Sequence, residues 1–302
     1  MFLARPLVLR SPLALREGEH MAHSAKILAH SISPVGVQLA TMEVVFPRIV
    51  LAEFNTHRML SRNSASSRAI PVEKMIKMVL ANPYIPTHWG KNQKGMQADE
   101  EVGREAAQVA DSIWLTARDQ AVERAQALLA VGIHKQITNR LLEPFMFHTV
   151  LVSSTEWSNF FNLRCHPAAH PDIRKVAELM RDALAASTPK QLNYGEWHLP
   201  LLQDDERWAI DWKDASPQIK ISVGRCARVS YLTHDGKRDP QADIDLHDSL
   251  LANGHMSPLE HVARPTDGGL TMDGYVSWSG NFRGWTQYRK TIEGEADMLK
   301  SR

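Results

Sequence analysis

Residues 46–68 read FPRIVLAEFNTHRMLSRNSASSR, and the stretch changes character halfway. Its first half repeats apolar side chains at helical spacing, Ile49, Val50, Leu51, Phe54 and then His57, with Pro47 suited to a first helical position. Its second half sets Arg58, Arg62 and Arg68 among Ser61, Asn63, Ser64, Ser66 and Ser67, so Ser61 to Arg68 reads as a polar loop. Guanidinium groups grip phosphate oxygens in pairs and hydroxyls serve the remaining lone pairs, so a helix followed by such a loop suits a nucleotide phosphate. A solvated Ser-rich turn has the same composition, and composition alone weighs the two equally.

Outward from this stretch, Lys26 to Val45 reads as strand with a turn at Ser33-Pro34-Val35-Gly36. Downstream, Pro71 opens a short helix through Met78. Residues 98 to 131 read as a long amphipathic helix, with Val102, Ala106, Val109, Ile113, Ala117, Ala121, Ala125 and Leu128 on one side and Gly132 as its stop. A helix at 134–142, a strand from Phe145 to Val152, a helix capped at Ser154-Thr155-Glu156 and running through Leu163, and a helix from Pro171 to Ala186 follow. Residues 188–216 have weak periodicity and read as an insertion or linker.

The last third reads as a strand at Ile219 to Val223 and a helix at Asp243 to Ala252 stopped by Gly254. Another helix should open at the capping box Ser257-Pro258-Leu259-Glu260. A strand at Tyr275 to Trp278 and a helix at Phe282 to Ile292 would close the chain, echoing the strand and helix of residues 37–58. The sum is a mixed α and β fold dominated by helix.

Lys plus Arg at 35 against Asp plus Glu at 34 leaves almost no net charge in the 302 residues. No global basic field favours duplex nucleic acid, so any anion must be gripped by local arginine clusters. Cys165 and Cys226 form neither a CxxC pair nor a disulfide framework, which suits a reducing, cytoplasmic setting. No apolar run reaches membrane-spanning length. Residues 1–20 start with a short apolar stretch broken by Arg10, Arg16, Glu17 and Glu19, and read as a disordered N-terminal extension ahead of a start at Met21 rather than as a signal peptide. Residues 21–302 then form a single domain.

Thr56-His57-Arg58, seven further residues, Ser66 and then Arg68 resemble the signature of the flavin-dependent thymidylate synthases, Arg-His-Arg followed after seven residues by Ser and soon by Arg. The resemblance runs upstream through Phe46 to Phe54 and downstream through Arg140-Leu-Leu-Glu-Pro144 and Asn159-Phe-Phe-Asn-Leu-Arg164, in the family's order. A third block, Arg225-Cys-Ala-Arg-Val-Ser-Tyr231 with Gly254-His255-Met-Ser257-Pro-Leu-Glu260-His261, resembles the family's opening segment but stands after the signature. The chain is therefore similar to a circularly permuted member, an arrangement compatible with termini that lie close together.

The resemblance implies an α+β fold, a small mixed or antiparallel sheet flanked by long helices, assembled as a homotetramer with active sites between subunits. It implies flavin contacts for His57, Arg58, Asn159, His255, Ser257 and Glu260. It implies pyrimidine-nucleotide contacts for Glu53, Ser66, Arg68, Arg140 and Arg164, with Ser66 as a positioning hydroxyl and Arg164 stabilising charge on the uracil. Two positions depart from the pattern: Thr56 replaces an arginine, and Glu53 stands where glutamine is usual and cannot donate to phosphate unless protonated. Arg283 and Arg289 are candidates to replace the lost cation.

The implied reaction is reductive methylation of dUMP to dTMP, with FAD as cofactor and NADPH and methylenetetrahydrofolate as co-substrates. Neither cysteine neighbourhood suggests the activated thiol that a cysteine-based enzyme needs. The departures leave open hydroxymethylation of a pyrimidine nucleotide, or a flavin-free nucleotide- or nucleic-acid-binding relative. A metal-dependent hydrolase is the third reading. Against it, His255, Glu260 and His261 lack His-Glu-x-x-His spacing and a third ligand, and His166 and His170 fit a helix connection, so no metal is expected.

Overall fold

The computed structural model describes residues 22–98, 100–208, 216–229, 238–268 and 275–295. The extension at 1–20 with Met21, residues 209–215 of the expected linker, and Ser230 and Tyr231 of the third block lie outside the described residues.

The fold grows from a hairpin. β1 (Ser24–Ile32) and β2 (Gln38–Pro47) pair antiparallel, closing at Ile32↔Gln38. Their turn is held by Ser33, whose backbone N–H donates to the Val37 carbonyl at 2.9 Å and whose Oγ accepts from the Val37 N–H at 3.1 Å. Gly36 takes φ +80 there, a value that a β-carbon would strain. The sheet extends as β3-β4-β2-β1-β5, with β3 (Ser61–Ser64), β4 (Phe147–Ser154) and β5 (Lys190–Gln191). All pairs are antiparallel except β1 with β5, so the sheet is mixed and the fold is α+β. Part of the expected Ser61–Arg68 loop is thus an edge strand: Arg62 and Ser64 alternate with the buried Ser61 and Asn63 against β4.

The two faces of the sheet meet different partners because side chains alternate along a strand. Ala40, Met42, Val44 and Phe46 of β2, with Val150 and Val152 of β4, pack beneath Phe54 of α1 (Leu51–Asn55), Phe160 of α5 (Ser158–Arg164) and the Ile173, Val176, Ala177 and Met180 stripe of α6 (Pro171–Ala185). A second core joins Met75, Ile76 and Val79 of α2 (Val72–Ala81) to Val122 and Ala125 of α3 (Arg104–Ala130), and α3 leads through α4 (Lys135–Thr138) to Leu142 and Phe145. The expected apolar stripe of α3 does not stay on one side. Rows of i+4 spacing run obliquely to a helix axis. Ala121 and Ala125 therefore face the core, whereas Val109 and Ile113 are 58% and 65% exposed.

The opposite face of the sheet carries the last third of the chain. Residues 188–208 are packed rather than loose: β5 joins the sheet, and Leu192, Leu199 and Leu202 are buried. After α7 (Asp204–Trp208), the expected strand at Ile219–Val223 is instead the middle of α8 (Ser216–Arg228). Its β-branched side chains bury against Leu199, Leu202 and Leu259, so tertiary packing overrides strand propensity. α9 (Pro240–Ala252) is capped by the Asp239 side chain, which accepts from the Ala242 N–H at 3.0 Å. Ser257–His261 is a short 3-10 helix without a side-chain cap bond, so the expected capping box does not form. The expected final helix is replaced by β8 (Phe282–Arg283), β9 (Trp285–Gln287) and a 3-10 turn at Tyr288–Thr291, and β9 pairs with β6 (Ala263–Pro265). Of the expected Tyr275–Trp278 strand only Trp278 falls in β7 (Trp278–Ser279), which pairs with β8. Gly284 breaks the helical pattern at φ +70, and the echo of residues 37–58 is lost with it.

α8 and α9 are pinned at one point. Asp243, 3% exposed, accepts from Arg225 Nε at 2.9 Å and Arg228 Nε at 2.6 Å, while Arg225 also binds Glu206 at 2.6 Å. Gly224 makes the approach possible: a β-carbon there would lie 2.2 Å from the Asp243 carbonyl oxygen. Asp243→Ala removes the carboxylate that joins Arg228 to Arg225 and leaves Arg225 its Glu206 pair, and is expected to cost about 1.5–3 kcal/mol in urea unfolding. Gly224→Ala should cost about 1–3 kcal/mol through overpacking. Wild-type midpoints for both would refute this account of the helix pair.

Candidate functional site

A cleft of about 390 Å³ opens where the end of β3 faces the third block. Its polar lining comes from Asn63, Ser64, Ser66, Arg68 and Gln136 on one side and His255 and Ser257 on the other. Four residues expected at the site therefore meet in one cavity although nearly 200 residues separate Ser66 and Arg68 from His255 and Ser257. Arg68 is exposed and has no ion-pair partner among the described residues, which leaves its guanidinium available to an anion.

The wall carrying Ser66 and Arg68 is built by residues that sequence reasoning passed over. Asn139, fully buried, donates its amide to the Ser67 carbonyl at 2.8 Å and the Ile70 carbonyl at 2.9 Å, fixing the 3-10 turn Ser67–Ala69. Asn63 donates to the Cys226 carbonyl at 2.7 Å and ties that wall to α8. Gln136 brings a carboxamide to the cleft from α4. Asn139 stands immediately before the matching block Arg140–Pro144, and Asn63 appears only as one member of the polar run, whereas nothing in the sequence singles out Gln136. Arg140 stands next to this wall, bonding Glu143 at 2.8 Å, and the same carboxylate accepts from Ser67 Oγ at 2.5 Å.

The other expected residues form a second group outside the cleft lining. Arg164, at the end of α5, donates from Nε to His57 Nε2 at 2.7 Å and from Nη2 to Thr56 Oγ1 at 3.3 Å. Burial, then the Arg164 and Arg62 cations, lower the His57 pKa to about 4, so its imidazole is neutral at pH 7. Arg58 and Asn159 are exposed, and Glu53 keeps a buried Oε2 without a hydrogen-bond partner. Glu260 does not line the cleft and pairs with Arg289 at 2.5 Å. Arg283 is paired with Glu156 at 2.6 Å and Arg289 also with Glu295. Both are therefore committed where the sequence offered them as replacement cations.

Burial raises the pKa of both Cys165 and Cys226, so neither presents a ready thiolate. His166 and His170 accept from the backbone N–H groups of Ala168 and Asp172, as helix-connection residues do. Among the described residues, no group of three or more His, Cys, Asp or Glu is placed to hold a metal ion, and no helix is long and apolar enough to cross a membrane.

Residues 16–190, more than half of the chain, match the family model described as thymidylate synthase complementing protein. Among solved structures, the chain is similar to the UMP/dUMP methylase PolB from Streptomyces cacaoi. The form bound with 5-Br UMP is 21% identical, with a TM-score of 0.45, over 54% of this chain and 89% of that one. The form bound with 5-Br dUMP is 17% identical, with a TM-score of 0.45, over 55% of this chain and 91% of that one. No curated protein matches.

Three buried imidazoles set the pH response of this region. Burial lowers His148 and His261 to about 3, and His57 stands at about 4, all from 6.5 when exposed. The unfolded chain therefore binds more protons as pH falls below 6.5, and stability drops until the folded pKa values are reached. Each imidazole is expected to remove about 2 kcal/mol between pH 7 and pH 5. Urea unfolding at the two pH values measures this, and equal stability at both would contradict neutral buried rings.

Proposed function

The chain belongs to the thymidylate synthase complementing protein family, and on that premise we propose that its cleft binds a pyrimidine nucleotide and that the protein methylates dUMP to dTMP. The observation carrying this reading is the meeting of Ser66 and Arg68 with His255 and Ser257 in one cavity. In the permuted reading, the third block reaches this wall from the far end of the chain, and residues 21–302 act as one domain. Arg68 would hold the phosphate through paired N–H donors, with Ser64 and Ser66 filling its remaining acceptor directions. Arg140 is joined to the same wall through Glu143, which binds its guanidinium and accepts from Ser67 Oγ.

FAD is the cofactor of this proposal, with NADPH and methylenetetrahydrofolate as co-substrates and a cytoplasmic homotetramer as the assembly. The donor set of the region, arginines, serine hydroxyls, amides and a histidine, fits the phosphates and hydroxyls of a flavin nucleotide. His255 and Ser257 from the cleft, with Arg58 and Asn159 outside it, would hold that group, whose reduced ring supplies the hydride when bound. No thiol is required of this chain, in keeping with the raised pKa of both cysteines.

The test is direct. Purified protein should carry or take up FAD and, given dUMP, methylenetetrahydrofolate and NADPH, should form dTMP on chromatography. A hydroxymethylated nucleotide as product would replace this reading with the neighbouring one-carbon transfer. Protein that takes up neither FAD nor dUMP would sink it. Arg68→Ala removes charge-assisted hydrogen bonds, so dUMP binding should weaken about 10- to 100-fold by calorimetry.

A further inference from the structure

Glu143 is the acid of the Arg140–Pro144 block, and three segments of the chain converge on it. A single oxygen, Oε1, accepts from Ser67 Oγ at 2.5 Å and from Arg140 Nη1 at 2.8 Å and lies 3.2 Å from Arg48 Nε. Arg48 directly follows β2 and also donates from Nη1 to the Ala65 carbonyl at 3.2 Å, so the cluster reaches both sides of Ser66. The carboxylate stands on a constrained backbone. It opens the 3-10 helix Glu143–Phe145 ahead of Pro144, whose ring fixes φ, and the Arg48 N–H donates to the Met146 carbonyl at 2.9 Å. Asn139 holds the Ser67 and Ile70 carbonyls and Lys135 Nζ donates to the Ala69 carbonyl at 3.3 Å, so both grip backbone, whereas Glu143 holds the turn by a side chain.

We propose that Glu143 is a positioning residue of the nucleotide site: by binding Ser67 and Arg140 through one oxygen, it sets the spacing between Arg140 and the cleft cation Arg68. Ser67 is buried and stands between Ser66 and Arg68 in the chain, so what fixes its Oγ fixes a turn whose flanking side chains line the cleft. Arg140 is half exposed, and so long a side chain keeps one pose only where a partner holds it. Arg48 and Arg140 share this one carboxylate, so two cations against one anion leave the cluster one net positive charge. Removing the carboxylate would raise that charge and, by Coulomb attraction alone, tighten the binding of an anion. Losing the pose of Arg140 and of the turn would loosen it. A neutralising role and a positioning role therefore predict opposite signs. The inference rests on the nucleotide reading above for its ligand, but not for the link from Arg140 to Ser67.

The full-length protein and its variants are titrated with dUMP by calorimetry. Glu143→Leu keeps the bulk and removes every acceptor, and should weaken dUMP binding about tenfold or more. Glu143→Gln keeps an acceptor oxygen and removes the charge, and should bind dUMP within about threefold of wild type or more tightly. Ser67→Ala cuts the link at its other end while both arginine pairs remain; it should weaken binding about three- to tenfold, and it carries the test if E143L does not fold. Arg140→Ala should cost about tenfold in the wild type and at most about twofold in the E143L background, because an arginine without its anchor has little left to lose. Independently of any nucleotide, the Ile70 amide donates to the Ser67 carbonyl at 3.3 Å. Its hydrogen should exchange about tenfold faster in E143L and S67A and at the wild-type rate in E143Q.

Binding of dUMP that is unchanged or tighter in E143L, or equally weak in E143Q and E143L, would overturn the proposal. So would wild-type affinity in S67A, or an R140A cost in E143L equal to that in the wild type. A wild-type protein that binds no dUMP overturns the nucleotide reading and the ligand half of this inference together. Hydrogen exchange then still decides whether Glu143 holds the turn: an Ile70 amide as slow in E143L and S67A as in the wild type would overturn that half as well.

Discussion

A buried chain of hydrogen bonds crosses the sheet from β1 to the 3-10 helix at Ser257–His261, and the arrangement of the molecule hangs on it. Ser31 Oγ meets His198 Nδ1 at 2.8 Å, His198 Nε2 meets Thr41 Oγ1 at 2.8 Å, Thr41 meets Ser153 Oγ at 2.6 Å, and Ser153 meets His261 Nδ1 at 2.8 Å. Each hydroxyl has one proton, so with neutral rings the chain has only two self-consistent directions. If His198 donates to Ser31, every hydroxyl points back toward β1 and His261 donates to Ser153. If His198 donates to Thr41, every hydroxyl points the other way and the His261 proton moves to Nε2, which has no partner. A donor left unpaired costs about 1–3 kcal/mol. Dry acceptor nitrogens are tolerated more readily than dry N–H groups. That difference favours the first direction.

This chain makes the second face of the sheet polar along one line and apolar on either side. Leu151 packs with Cys226 and Val229 to one side, and Leu39 with Ala263, Phe282 and Trp285 to the other. A segment docking there must bring acceptors and donors in register with Thr41 and Ser153, and a slip of one residue along β2 or β4 would exchange them for Met42 and Val152. The last third is thus keyed, not merely adhered, to the sheet. The position of His261 then determines where Ser257 and His255 stand, and they stand opposite Ser66 and Arg68. Hydrogen bonds between a sheet and a docked segment carry no memory of chain order. The same contact serves whether the segment precedes or follows the strands.

The sequence was most legible where local pattern and tertiary role agree. The β1–β2 hairpin, β4 and α6 match their readings closely because alternation or helical periodicity in each is produced by the face it buries. α8 and the 282–292 segment misled for opposite reasons. Ile219, Ile221 and Val223 look like strand but fill a helical interface, and Phe282 to Ile292 has helical spacing while Gly284 and the pairing with β6 force extended backbone. Motif spacing named Ser66, Arg68, His255 and Ser257, which the fold brings to one cleft, yet it could not separate them from the His57–Arg164 group. That separation depends on where α5 ends relative to β3, which no local pattern encodes.

Charge accounting links the two groups. The chain has almost no net charge, so anion recognition depends on which arginines the fold leaves uncompensated. Arg48, Arg140, Arg225, Arg228, Arg283 and Arg289 are each within ion-pair distance of a carboxylate. Arg62 is spent on backbone carbonyls. Among the described residues of the signature stretch and α5, that leaves Arg58, Arg68 and Arg164 without a carboxylate partner, and all three lie in the blocks that carry the family resemblance. An anion that reaches Arg68 in the cleft meets a cation that no carboxylate among the described residues already cancels, so its contact is not offset by the breaking of an ion pair.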